Sequence, residues 1–179
     1  MNTASAYRVA RALLLLLALV CLGQPVAAQN AATEQSLRAA MVFNFLKFTE
    51  FPSEGRGDPQ RLRLCVSVGD PQQADALAAL SGRKVLNREL VVVRFAGRDD
   101  DCHVLYVELR QRWIAAEEPR FLRRPLTISA FPGFARDGGM IEISLQENGA
   151  RFDINLAEGR RAGFRFSPQL LRLARHVYE

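Results

Sequence analysis

Near the C-terminus the run MIEISLQENGARFDINL alternates apolar and polar residues on both sides of Asn148-Gly149. Period-two alternation marks a strand with one covered face, and Asn-Gly is the dipeptide that best accepts the positive φ of a two-residue type I′ turn. Setting Glu147 opposite Ala150 pairs Leu145 with Phe152, Ile143 with Ile154 and Ile141 with Leu156. The other face then pairs Gln146 with Arg151, Ser144 with Asp153 and Glu142 with Asn155. One face is wholly apolar and the other wholly polar, so this hairpin commits the chain to a sheet that something else must cover.

Helices are the natural cover. Residues 33 to 51, TEQSLRAAMVFNFLKFTEF, have helical spacing, with Thr33 as a cap, Glu34 in the first turn and Pro52 as the stop. Leu37, Met41, Phe45 and Phe48 make one apolar stripe, and Val42, Phe43 and Leu46 widen it. A helix this apolar is buried in its own core or, on the other reading, forms a homodimer face. RLRLCVSV then reads as a strand, and DPQQADALAAL as a helix capped by Asp70 with Pro71 at its first position. Two β-rich runs follow, LVVVRF at 90 to 95 and CHVLYVE at 102 to 108, joined by AGRDDD. RQRWIAAEE is a short helix ended by Pro119, PLTISAF a buried strand, and AEGRRAG and SPQLLRLARHVYE two closing helical pieces, the last capped by Ser167. The expectation is an α/β single domain: a mixed β-sheet flanked by helices, with a C-terminal β-hairpin and a terminal helix.

The chain begins with Arg8 and Arg11, an apolar run of eleven residues from Ala12 to Leu22, and a break at Gly23-Gln24-Pro25. That is the layout of a secretory signal, with Val26 and Ala28 suited to cleavage before Gln29. A span needs about 20 apolar residues, so no direct membrane anchor is expected. Val20 stands before Cys21 where a lipoprotein signal would carry a small residue. Residues 1-28 are therefore read as a signal peptide and 29-179 as one periplasmic domain, whose formal charge falls from +5 to +3 when the two arginines leave. Arginine is scattered rather than gathered in a stripe, which argues against nucleic acid as a partner.

Export leaves Cys65 and Cys102, an even pair in an oxidising compartment. A disulfide is expected, two buried thiols being the alternative. It would close a loop of about 38 residues and contribute about 4 kcal/mol by chain entropy.

The inventory for catalysis is thin. The two histidines, His103 and His176, stand apart in sequence, and no nucleophile elbow, zinc helix, phosphate loop or dinucleotide fingerprint is present. Asp99, Asp100, Asp101 and His103 are crowded, but they lack the spacing and turn glycine of a calcium loop and read as a solvated turn. Glu142 and Asp153 share a hairpin face beside ordinary cross-strand companions, or else line a small-ligand groove. The expectation is a protein that is not an enzyme and carries no cofactor and no metal. The stretch SAFPGFARDGGM, between the last central strand and the hairpin, carries two phenylalanines and three glycines. It is expected at the surface of the sheet end. Phe134 and Arg136 are its candidate partner-binding residues, since aromatics and arginine anchor interfaces. The alternative for Phe134 is to fold back as a plug over the sheet end.

LTISAFPGFARDGGMIEISL followed by RFDINLAEGRRAGFRFSPQLLRLARHV resembles the YfiR family of periplasmic domains, which includes HmsC-like proteins. FNFLKFTEFP is similar to that family's first helix, and LCVSVGDP with ADALAALSGRKVLNRELVVVR to its next segment, so the likeness covers about residues 34 to 178. Phe51 replaces a frequent tryptophan, Pro168 and Gln169 replace serine and lysine, and a second cysteine pair found in some members is missing. The resemblance implies a non-enzymatic repressor. It would bind the periplasmic sensory domain of an inner-membrane diguanylate cyclase, lowering cyclic di-GMP and biofilm output, with envelope or redox stress relieving the repression. The competing class is a periplasmic small-ligand-binding accessory module of a sensor or export system.

Overall fold

The computed structural model describes residues 26–52, 58–95, 101–110, 124–146 and 149–179, with side chains described from Glu34 onward. Contacts divide the chain after Thr33, and Glu34–Glu179 is the folded unit considered below. The predicted helix over RQRWIAAEE lies outside the described residues, as do Asp99 and Asp100.

Helix α1 (Val26–Lys47) leads through β1 (Thr49–Glu50) to β2 (Arg61–Ser67), α2 (Pro71–Ala78), β3 (Lys84–Val85), β4 (Arg88–Arg94) and β5 (Val104–Val107). Then come β6 (Leu126–Ser129), β7 (Ile141–Gln146), β8 (Gly149–Asn155), α3 (Leu156–Arg161), β9 (Arg165–Phe166), α4 (Pro168–Leu173) and β10 (His176–Tyr178). Eight strands form one sheet in the order β10-β8-β7-β6-β5-β2-β4-β3, and β1 pairs with β9 in a separate two-stranded ribbon. The five strands β4-β2-β5-β6-β7 are all parallel. The chain enters this block at β2, crosses to β4 on one side, and then returns to β5 on the other. Such a reversal makes a switch point, beside which doubly wound sheets open a crevice at the carboxyl ends of their strands. Antiparallel β3 and β8 flank the block, and β10 adds parallel to β8 at the edge.

Every residue of β5 and β6 is buried, as central parallel strands covered on both faces require. Leu62, Leu64, Leu90, Leu126 and Ile128 are fully enclosed, each stabilising the fold by about 1.5–3 kcal/mol relative to exposure. On α1, Val42, Phe45 and Leu46 are buried, and the Phe45 ring meets Phe152 at 4.9 Å, so the wide apolar stripe is spent on the domain's own core. Leu37 stays 38% exposed on the same helix.

Three local expectations need correction. Thr33 does not cap α1, which already begins at Val26, because the alanine-rich AAQNAA offers no breaker. The helix also stops at Lys47 rather than running to Phe51. Thr49 turns its hydroxyl back onto the Phe45 carbonyl at 2.8 Å and pairs with Phe166 in the ribbon. The closing segment is only partly helical: α4 ends at Leu173, and His176–Tyr178 joins the sheet as β10 because Arg175 and His176 both reach Asp153 on β8.

The hairpin is present with the expected faces but with its pairing shifted by two residues. Ile141 pairs with Ile154, Ile143 with Phe152, Leu145 with Ala150 and Gln146 with Gly149. A shift of two preserves every residue's face, so the alternation that predicted the strands could not distinguish the two registers. Gly149 takes φ of +112°, and the pairing places it opposite Gln146 instead of at the centre of the turn. Residues 147 and 148 lie outside the described residues.

Candidate functional site

The carboxyl ends of the parallel strands are treated differently at the switch point and beyond β6. At the switch between β2 and β5, Glu108 follows β5 directly and its carboxylate accepts the backbone N–H groups of Gly69 and Asp70. Asp70 in turn caps α2 by accepting from the Gln72 N–H at 2.9 Å, and Gln35 of α1 donates to its other oxygen at 2.8 Å. That side-chain hydrogen bond is the largest influence holding the Asp70 carboxyl below its ordinary range. The switch crevice is thus filled by the protein's own polar groups.

Beyond β6 the chain behaves otherwise. Ser129 ends β6 opposite Glu142, and its hydroxyl donates to the Val107 carbonyl. Residues 130 to 140 then form the loop that joins β6 to β7. Glu142, only 6% exposed, accepts the N–H groups of Gly133 at 3.2 Å and Ala135 at 3.1 Å, which draws the loop down onto β7. Asn155 donates to the Ala135 carbonyl at 2.8 Å, and Thr127 accepts the Met140 N–H at 3.0 Å. Arg110 fastens the outer side, pairing with Asp137, donating to the Pro132 carbonyl at 3.2 Å and lying 5.3 Å over the Phe131 ring.

Phe134 answers for the loop's apolar content. It is fully buried in a second small core with Cys65, Cys102, Leu105 and Val107, and it meets Phe131 edge-on at 4.9 Å. A Cβ on Gly139 would stand 2.3 Å from the Phe134 ring, so only glycine lets the loop close over it. The expectation that Phe134 presents a partner-binding surface is therefore corrected: burying its ring against the disulfide is worth more than exposing it. Arg136 remains exposed at the rim and enters no ion pair among the described residues. Cys65 and Cys102 are joined, with Cα atoms 5.8 Å apart and both residues fully buried beneath the loop.

Between the loop, α1 and β7 lies an open polar cavity of about 380 Å³, lined among others by Arg38, Pro132, Arg136, Glu142, Ser144 and Arg175. Arg38 reaches Glu34 at 3.3 Å through one terminal nitrogen, while its Nε is buried without a hydrogen-bond partner among the described residues. Arg175 is committed to Asp153 through two hydrogen bonds of 2.9 and 2.7 Å. Asp153 is 2% exposed. Burial alone would raise its carboxyl, but hydrogen bonds from Arg175 and His176 outweigh that and hold it below the ordinary value.

Glu142 and Asp153 do share a face and are direct cross-strand neighbours. Each is held by different groups, backbone N–H for Glu142 and Arg175 with His176 for Asp153. In the crowded turn, Asp101 lies 3.6 Å from Arg63, and His103 contacts the Arg63 N–H and the Arg88 guanidinium. Both are thus engaged with protein cations or donors. Sequence reasoning missed Arg38 and Arg175, which lie 137 positions apart and meet only because α1 and the segment before β10 converge on β7.

The model of the family described as YfiR/HmsC-like matches residues 35–175. No curated protein matches the chain. Among solved structures, a "conserved domain protein" from Vibrio cholerae O1 biovar El Tor aligns with a TM-score of 0.50 at 10% identity, over 80% of this chain. This chain spans 60% of that one, and at such identity the likeness concerns the fold alone.

Proposed function

The chain belongs to the YfiR/HmsC-like family, and on that premise we propose that it is a non-enzymatic periplasmic regulator. In this reading it binds the periplasmic sensory domain of an inner-membrane diguanylate cyclase, holds the enzyme inactive, and so lowers cyclic di-GMP and biofilm formation. The observation that carries the proposal is the family match across nearly the whole folded unit, residues 35–175. The buried Cys65–Cys102 bridge supports an oxidising compartment, and among the described residues no helix is long and apolar enough to cross a membrane. Repression of this kind is a population shift: the regulator stabilises the inactive cyclase by no more than its differential affinity for the two states.

Arg136 is the contact residue the loop leaves available, Phe134 serving beneath it as support. The test is twofold. Affinity capture from native envelopes, read by mass spectrometry, should recover a membrane protein with a diguanylate cyclase domain. Arg136→Glu in cells should then raise cyclic di-GMP while the purified variant melts as the wild type does. Capture of no cyclase, together with a tightly retained small molecule in the purified chain, would favour the small-ligand-binding accessory module instead.

A further inference from the structure

We propose that the cavity beside the β6–β7 loop is a binding site for a small organic carboxylate, one carrying its charge on a compact apolar body. The site does not depend on the repressor reading, since it belongs to the chain alone.

Its place in the fold is the first argument. At the switch point, where such sheets usually bind ligands, Glu108 ties down the turn after β2, and the cavity lies instead off the carboxyl end of β6, beside β7. The cavity, about 380 Å³, lies within the range of small-molecule sites.

Charge is the second. The two carboxylates on the wall are already engaged, Glu142 by the loop N–H groups and Glu34 by Arg38. Arg175 is committed to Asp153. What is left uncommitted is Arg136, exposed and without an ion pair among the described residues, beside Arg38, which Glu34 holds through a single contact of 3.3 Å. A guanidinium fork matches a carboxylate through two parallel hydrogen bonds, and Arg136 has that fork free at the rim of the cavity.

Shape is the third. β6 stops at Ser129, so Ile143, Ser144 and Leu145 extend past it and pair with β8 alone. Along that stretch the backbone groups of β7 that face away from β8 have no strand partner among the described residues, and they stand ready beside the Ser144 hydroxyl for a polar substituent. Ala130 and Pro132 supply apolar wall for the ligand's body.

The probe is benzoate, titrated calorimetrically into the purified chain, with benzyl alcohol as the neutral isostere and inorganic phosphate as a second anion. Saturable benzoate binding is expected, with amide shifts at Gly133 and Ser144 and affinity about tenfold or more above that of benzyl alcohol. Arg136→Gln, at an exposed position, should weaken benzoate about tenfold at unchanged melting temperature, and Arg38→Gln should do the same if it folds. Equal binding of benzyl alcohol, shifts confined elsewhere, indifference to Arg136→Gln, or phosphate binding without benzoate would each overturn the assignment. Because no cyclase is present in the assay, its failure leaves the repressor reading standing, and the reverse holds.

Discussion

Glu108 and Glu142 use the same device at the carboxyl end of the same sheet, a carboxylate accepting two backbone N–H groups, with opposite results. Glu108 takes its donors from the turn after β2 and thereby plugs the crevice between β2 and β5. Glu142 takes its donors from the loop ahead of its own strand and pulls that loop down, which leaves the space between the loop, α1 and β7 open. Where the donors come from, rather than the chemistry of the acceptor, decides whether a crevice is filled or framed. The frame has a foundation that the plug does not need: a disulfide and a phenylalanine buried under the loop.

That contrast can be broken at several points. The largest loss should follow removal of the bridge. Cys65→Ala with Cys102→Ala is expected to cost about 4 kcal/mol in denaturant unfolding, with reductant reproducing most of the effect on the wild type. Free thiols titrated in the unreduced native protein would contradict it. Phe134→Ala comes next, at about 3 kcal/mol, the low end for such a truncation because the loop can settle partly into the gap. Here melting should fall and amide exchange should quicken first at Gly133 and Ala135, the loop groups held over that core.

A direct comparison of the two carboxylates is the sharpest test. Glu108→Gln and Glu142→Gln should each cost about 2 kcal/mol, as expected when a charged acceptor of two N–H groups becomes neutral. Hydrogen exchange should accelerate at Gly69 and Asp70 in the first variant and at Gly133 and Ala135 in the second. Crossed effects would show that the two ends of the sheet are coupled. The smallest effect belongs to the hairpin: Gly149→Val should cost about 1 kcal/mol or more because a β-branched residue resists its positive φ, and thermal melting measures it.

Local signals carried much of this fold. Apolar, β-branched runs announced β2 and β4 to β6, period-two alternation announced β7, β8 and the faces of the hairpin, and proline after a capping residue placed α2 and α4. What local pattern could not carry was register, since a slip of two residues leaves Ile141, Ile143 and Leu145 on the same face. Nor could it place β10. Residues 174 to 178 continue a helical spacing, and only the meeting of Arg175 and His176 with Asp153 turns them into a strand. The site was legible in its loop and in Arg136. Arg38 looked like any helix-surface arginine, because only tertiary packing brings it beside the loop and Arg175.

Gly139 and Phe134 have a consequence that reaches past this one molecule. With the ring held 2.3 Å from where a Cβ would stand, neither position is free to change while the other stays as it is. In related chains that keep this loop, a side chain at the position of Gly139 should occur only where the aromatic has been lost or reduced. The two sites would then vary across lineages as a single inherited character.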